Sequence, residues 1–421
     1  MLSRREALVL LAAAGLAPSD IMSAAASQRN AELTLTKPLR VRTITAGVDL
    51  ATAADTARVE AALATLRRGR QLFEAAGYEL QTTRLAITPF LADADSAARD
   101  KALAGLKRID QMAVAEGAVV SIGPLLKSDR HDPGLADWAV ELVRSTRSIS
   151  FSVVIASAHG VHGRAAASAA EITSALARAL PDGIANFRFA AAANIPAGTP
   201  FFPVAWHQGA DSLAVGLESA SVVEDAFRQA ADPEQGGARL KELMNQALAP
   251  IERLGSELAG KEGRAWLGID TSPAPAKDRS IAAAIEALTQ APFGSASTLQ
   301  ACSIITAAIK SLDVKTCGYC GLMLPVLEDP LLAQRAGEGR YGIRDLLLYS
   351  SVCGTGLDVV PIPGDTPVAT LTGLLKDVAA LSARLVKPLS ARLFVVPGKK
   401  AGDIARFTDP VLTDSVVMKV D

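Results

Sequence analysis

Aromatic residues make up only 4% of this 421-residue chain, which argues against a binding face built from stacked rings. Cysteine is scarce too, and four in a chain of this length do not make a disulfide scaffold. Neither sign of charge dominates. Lys and Arg total 43 against 44 Asp and Glu, a formal net charge of −1, so nothing marks a nucleic-acid or anionic-membrane partner. There is no Walker-type phosphate loop, no Gly-x-Ser-x-Gly nucleophile elbow and no His-Glu-x-x-His pair. The Gly354-Thr355-Gly356 and Gly294-Ser295 stretches lack the spacing of a dinucleotide loop. What remains is 49% hydrophobic and 21% charged, the composition of an ordinary globular protein.

The first 26 residues read as an export address. Ser3-Arg4-Arg5-Glu6-Ala7-Leu8 is followed by a short apolar run, Ala7 to Leu16, and by the small residues Ser23-Ala24-Ala25-Ala26. The paired arginines point to the twin-arginine route. An ordinary N-terminal helix would explain the apolar run but not the order of these three parts. The run is far shorter than the ~20 residues that span a bilayer. The mature chain is therefore expected in the periplasm or otherwise exported, with no membrane attachment after cleavage.

Beyond the signal, strand-like and helix-like periods alternate. Leu39 to Thr45, Leu80 to Ile87, Ala118 to Ile122, Ile149 to Ala156, Phe187 to Ala193, Ser212 to Leu217, Ala265 to Ile269 and Arg392 to Val396 read as strands, with a terminal strand from Ser415 to Val420. Helical periods run over Thr56 to Ala76, Ser96 to Glu116, Leu135 to Arg144, Ala165 to Leu180, Ser280 to Leu288, Ser297 to Ile309 and Thr370 to Leu385, with another expected from Pro330. Val222 to Ala259 is also helical, with breaks expected at Pro233 and Gly236-Gly237. Such alternation predicts an α/β fold with a mostly parallel sheet covered by helices. Residues 197–210 and 354–368 read as Gly/Pro-rich loops, and no linker divides residues 27–421, so one large domain is expected.

Several blocks carry a family resemblance. They are Arg42-Thr43-Ile44-Thr45, Pro200-Phe201-Phe202 with Trp206-His207, and Gly268-Ile269-Asp270 through Ser272-Pro273-Ala274-Pro275. Cys320-Gly321-Leu322-Met323-Leu324-Pro325-Val326-Leu327-Glu328-Asp329 and Ser351-Val352-Cys353-Gly354-Thr355-Gly356-Leu357-Asp358, continuing to Pro361-Ile362-Pro363-Gly364-Asp365-Thr366, follow. Val396-Pro397-Gly398-Lys399 and Val417-Met418-Lys419-Val420 complete the set. In this order they resemble the domain of unknown function 711 family (uncharacterised protein family 0210) from about residue 38 to the end. The resemblance implies a pyruvate formate-lyase-like fold, a large α/β barrel shared with glycyl radical enzymes. It implies no chemistry. The C-terminal radical-glycine motif is missing, so radical catalysis is rejected.

Asp270, after an apolar strand and before a Pro-rich turn, reads as a catalytic carboxylate at a barrel rim or as a turn-capping residue. His207, one of four histidines, reads as a general base or as a loop histidine bonded to backbone. Asp358 and Asp365 read as a polar cluster. Asp365 joins Asp270 and His207 as a candidate catalytic residue, and it would also help Arg42 hold the substrate. Arg42, Thr43, Thr45, Ser272, Cys353 and Asp358 are the candidate substrate contacts. Arg42 would clamp an anion, or pair with Glu328 or Asp329 inside the barrel. Cys353 equally suits a buried small residue beside glycines. His159 and His162 could hold a metal, but no third ligand is fixed by spacing. Cys317-Gly318-Tyr319-Cys320 reads as a disulfide or as two unpaired thiols. The sequence leaves any cofactor unknown; folded export permits one loaded in the cytoplasm without requiring it.

Two functions stand open. One is an enzyme acting on a small polar metabolite by acid/base chemistry. The other is a non-catalytic small-molecule-binding or structural barrel, with homo-oligomerisation left open.

Overall fold

In the computed structural model the described residues are 35–420, so the signal-peptide reading of residues 1–26 lies outside them. Lys37–Asp421 group as one compact unit. Its elements are β1 (Arg40–Val48), α1 (Thr56–Ala75), β2 (Leu80–Ile87), α2 (Ser96–Ala115), β3 (Ala118–Pro124), α3 (Leu135–Ser145), β4 (Ile149–Ser157) and β5 (Gly160–Val161). Then come α4 (Gly163–Leu176), a 3₁₀ helix (Pro181–Arg188), β6 (Phe189–Ala193), β7 (Ser212–Glu218), α5 (Ala220–Arg228), α6 (Pro233–Lys261) and β8 (Ala265–Asp270). The last third holds α7 (Ile281–Thr289), α8 (Thr298–Lys310), α9 (Pro330–Gly337), α10 (Ile343–Tyr349), β9 (Gly356–Pro363), α11 (Val368–Leu385), β10 (Leu389–Val396), β11 (Ile404–Ala405) and β12 (Ser415–Val416).

The main sheet runs β8-β7-β1-β2-β3-β4-β6-β10-β9, with β5 paired to β4 alone. β1, β2, β3, β4 and β6 are parallel neighbours. β7 joins β1 antiparallel and carries β8 parallel to itself. At the other side β10 joins β6 antiparallel and carries β9 parallel. Residues 315–326 touch both edge strands. Ile269 bridges Thr316 and Pro325 bridges Asp358, each in parallel sense. Backbone bonds support both contacts: Ile269 N to Lys315 O at 2.8 Å and Val326 N to Asp358 O at 3.2 Å.

Local chemistry sets where helices begin. Asp55, Asp95 and Asp232 each accept a hydrogen bond from a first-turn amide of α1, α2 and α6, the usual use of aspartate at this position. Asp329 serves two helices. It accepts from Leu331 N and Leu332 N of α9, and from Ile281 N and Ala282 N of α7. Burial raises its pKa against the pull of these donors.

Three expectations are corrected. The supposed loop 354–368 contains β9, whose Leu357, Val359, Val360 and Ile362 are fully buried. Pro361 and Pro363 disguise it, yet proline is tolerated on an edge strand. Gly236-Gly237 do not break α6 but lie within its first turns, where Gly236 leaves room for Leu288 and Phe227. The terminal strand shrinks to β12, which pairs only with β11. Helix α10 was not foreseen.

Gly321 and Gly354 approach backbone to backbone, and a Cβ on either would strike the other's Cα. Gly354→Ala is expected to lower stability by about 1–3 kcal/mol, the cost of overpacking. Gly373→Ala, on the open face of α11 with nothing within 4 Å, is expected to raise it by roughly 0.5–1 kcal/mol. Denaturant midpoints measure both, and a silent Gly354→Ala would refute the close approach.

Candidate functional site

A cavity of about 590 Å³ is bordered by β1, β2, β9 and β10. That lies within the ~300–1,000 Å³ typical of small-molecule sites. Its charged lining includes Arg42 of β1, Arg84 of β2, Arg392 of β10, Asp358 of β9, and Glu328 just before α9. The pairing of β1 with β7 shifts register between Val41 and Thr43, where Arg42 lies. The pairing of β10 with β9 shifts between Ala391 and Leu393, setting Asp358 and Val359 opposite Arg392. Such bulges re-aim side chains beside functional sites.

Glu328 joins two of the arginines. Arg42 Nη2 donates to one of its oxygens, and Arg392 Nη2 donates to the other at 2.9 Å. Arg42 Nη1 also donates to Pro275 O at 3.0 Å. Arg392 Nε donates to Asp358 Oδ1 at 2.7 Å. Burial pushes both carboxyls up, but the outcomes differ. For Glu328 the charges of Arg42 and Arg392 prevail and its pKa is lowered. For Asp358 burial and the nearby Glu328 charge prevail over Arg392, and its pKa is raised. Two neighbouring carboxyls with opposite shifts are the pattern of an acid/base pair.

Arg84 has no such partner. Its Nη1 donates to Pro200 O at 3.2 Å and its Nε to Thr82 Oγ1 at 3.3 Å. Among the described residues, no carboxylate forms an ion pair with it. Burial first, and the like charge of Arg42 second, bring its pKa down to about 9. Its guanidinium lies 5.7 Å from the Phe202 ring centroid, and that of Arg392 lies 4.9 Å from Phe187. Phe187, Phe201 and Phe202 all line the cavity. The chain's overall scarcity of aromatics therefore does not exclude an aromatic wall, contrary to the composition-based expectation.

Tyr319 closes another side. Its hydroxyl donates to Ser390 Oγ at 2.8 Å, and Ser390 donates to Thr355 O at 3.2 Å. Asp270 fixes the backbone that presents this tyrosine. It accepts from Tyr319 N at 2.7 Å, Cys320 N at 3.0 Å, Ser272 N at 3.1 Å and Ser272 Oγ at 2.6 Å. Ser272 Oγ in turn accepts from Gly321 N. Gly318 adopts φ +78°, and a Cβ there would strike the Asp270 carboxylate. Asp270 is fully buried, and burial raises its pKa against these donors.

Of the residues singled out from sequence, Arg42 and Asp358 line the cavity, whereas Asp270, His207, Asp365, Thr43, Thr45, Ser272 and Cys353 do not. The Thr43 and Thr45 hydroxyls meet at 3.3 Å behind it, and Thr45 donates to Pro200 O. His207 is buried between Gly209 O and Ser212 Oγ, and burial lowers its pKa. Asp365 is exposed in the turn after β9. Cys353 is buried, with its carbonyl accepting from Lys387 Nζ. Cys317 and Cys320 are free thiols, and burial pushes Cys320 up to about 11. His162 bonds Ser157, His159 is exposed, and no group of three or more potential ligands is placed to hold a metal among the described residues. Arg84, Arg392 and Tyr319 were missed. The available signal was an arginine just before an apolar run in each of two strands, Leu85-Ala86-Ile87 of β2 and Leu393-Phe394-Val395-Val396 of β10.

A family model described as Uncharacterised ACR (DUF711) matches residues 32–409. Similar chains include a UPF0210 protein of Pyrobaculum islandicum, 32% identical over 78% of this chain and 76% of that one. One from Pyrobaculum arsenaticum is 31% identical over 78% and 76% of the two chains. One from Methanococcoides burtonii is 29% identical over 82% and 80%.

Asp358 makes a pH prediction with a definite sign. Its folded pKa is raised, so its contribution to stability is full below the unfolded value near ~3.9 and is lost as pH rises through the folded value. Wild type is therefore expected to lose stability relative to Asp358→Asn on going from about pH 4 to neutrality. Thermal melts of both proteins across that range measure the difference. A flat difference would mean the carboxyl is not perturbed.

Proposed function

The chain belongs to the uncharacterised DUF711 family, and we propose that it binds a small anionic metabolite in the cavity headed by Arg84. The observation that carries this reading is the unpaired, buried guanidinium of Arg84 facing that space. A buried cation with no carboxylate in direct contact is costly; the charge of Glu328 reaches Arg84 only from a distance, and an anionic ligand would supply the missing contact. Exposed Arg144 and Arg147 line the same cavity and favour entry of anions.

Enzymatic acid/base chemistry is the reading favoured over a purely binding role. Its support is the Asp358–Glu328 pair, in which Asp358 would hold and release a proton while Glu328 stays ionised. Asp270 is assigned to positioning Tyr319 rather than to proton transfer, since its described hydrogen bonds hold Ser272 and the Tyr319–Cys320 backbone after α8.

Closure of the sheet into a barrel of the pyruvate formate-lyase-like kind is part of the same proposal. Residues 315–326 would stand between β8 and β9, giving two five-membered parallel halves. Glu328, which reaches Arg42 on β1 and Arg392 on β10, supports strands distant in sheet order facing one interior. Export by the twin-arginine route rests on the Ser3-Arg4-Arg5 opening. Replacing both arginines with lysine is expected to leave the chain in the cytoplasmic fraction, and unchanged fractionation would remove that part.

Thermal melts against acetate, pyruvate, succinate and phosphate test the site. A ligand at ~100 times its dissociation constant adds ~2.7 kcal/mol. Arg84→Gln is expected to weaken binding by about 10- to 100-fold, since hydrogen bonds to charged groups contribute ~1.5–3 kcal/mol. Asp358→Asn is expected to abolish turnover while retaining binding. An anion-induced shift untouched by Arg84→Gln would place the site elsewhere.

A further inference from the structure

The cavity does not present charge alone. Arg84 lies beside the Phe202 ring, and Phe202 packs on Phe187 with centroids 6.1 Å apart. Phe187 in turn carries Arg392. The two guanidinia are thus seated on a pair of touching rings. Val119 is the direct cross-strand partner of Arg84 in the β2–β3 pairing, and it lines the same cavity with Ile184, Val143 and Met323. A fully hydrated, compact anion such as phosphate would satisfy Arg84 but leave this wall facing water. An apolar group seated on the wall would instead bury it, and burial of apolar surface is favourable.

We propose that the preferred ligand is a carboxylate bearing an aromatic or branched aliphatic body, its head on Arg84 and its body against Phe202, Phe187 and Val119. This rests on the anion-binding reading of the cavity and narrows it to a ligand class. The spacing sets the size of the ligand. The Arg84 guanidinium is 5.7 Å from the Phe202 centroid, and packed rings sit about 4.5–7 Å apart. A head and a ring separated by one or two carbons therefore reach both partners. Arg84 recognises a carboxylate through its planar fork of donors. Asp358 and Tyr319, on the same lining, are left to meet polar atoms next to the head.

The test compares four probes by calorimetry on the mature protein: 3-phenylpropionate, its neutral amide 3-phenylpropionamide, acetate and inorganic phosphate. We expect 3-phenylpropionate to bind at least about tenfold more tightly than acetate or phosphate, from the apolar area it buries. Arg84→Gln should weaken 3-phenylpropionate and acetate together. Phe202→Leu and the isosteric Val119→Thr should each weaken 3-phenylpropionate by about threefold or more while leaving acetate unchanged. Using two wall variants, each checked for an unaltered melt, separates the effect from misfolding at either position. Equal affinity for acetate or phosphate would overturn the ligand class while leaving the anion site intact. Equal affinity for 3-phenylpropionamide would overturn the anion reading and the class with it, as would the absence of binding by any probe.

Discussion

The contact on which the rest of the site depends is the Glu328 carboxylate held between Arg42 and Arg392. All three side chains are nearly inaccessible, so the charges are sustained by one another rather than by water. Removing one member would strand the others, and an uncompensated buried charge costs several kcal/mol. The network also leaves a surplus. On the lining, the buried Arg42, Arg84, Arg188 and Arg392 meet the carboxyls of Glu328 and Asp358, and Asp358 is biased toward its neutral form. Arg188 is held by the carbonyls of Ile149, Val143 and Thr146 and by the Thr146 hydroxyl, whereas Arg84 makes two hydrogen bonds, at 3.2 and 3.3 Å, so the anion-binding proposal follows from the charge balance of the interior as well as from the shape of the cavity.

Departures from regular backbone gather around the same place. Arg42 lies at one register shift and Arg392 faces another. At the second, Val359 takes φ +43°, an unusual conformation for a β-branched residue. Gly321 and Gly354 allow two backbone segments to touch, which brings the Tyr319 segment next to the start of β9. Asp270 then fixes that segment from below with both oxygens. Regular strands place side chains alternately on the two faces. At the bulges, Arg42 of β1 and Asp358 of β9 reach the lining, and strain of this kind concentrates at functional sites.

The regular part of the fold was legible because its signals are local. Alternation over Leu80 to Ile87 and the apolar period from Thr56 to Ala76 match β2 and α1 closely. β9 was hidden because two prolines and a glycine mimic a loop, while its strand character comes from pairing with β10, more than thirty residues on in the sequence. The site shows the same division. Arg42 and Asp358 were marked by the motifs around them, and the Arg42–Glu328 pair was one of the alternatives the sequence left open. Asp270 and His207 looked reactive because acid and imidazole are reactive types. Their roles depend on hydrogen bonds to Tyr319, Cys320, Gly209 and Ser212, and spacing alone does not reveal those. Arg84 needed knowledge of which face of β2 points inward and of what is absent around it.

Composition misled in one instructive way. A low aromatic fraction describes the whole chain, but binding is decided by where the few rings lie. Phe187, Phe201, Phe202 and Tyr319 come from the 3₁₀ helix, the loop after β6 and the segment after α8, and they meet at one cavity. Each phenylalanine that carries a guanidinium also screens that charge from water. This strengthens the field an incoming anion would meet, since electrostatic interactions grow as the local dielectric falls. The same rings supply an apolar surface that a bare ion cannot use. Charge and wall together therefore favour a ligand with two unlike ends, and the Asp358–Tyr319 side of the cavity would lie next to the boundary between them. A proton donor at that boundary can act on the atom beside a carboxylate without competing for the carboxylate itself. Under the proposed anion-binding reading, that arrangement would let acid/base chemistry follow binding.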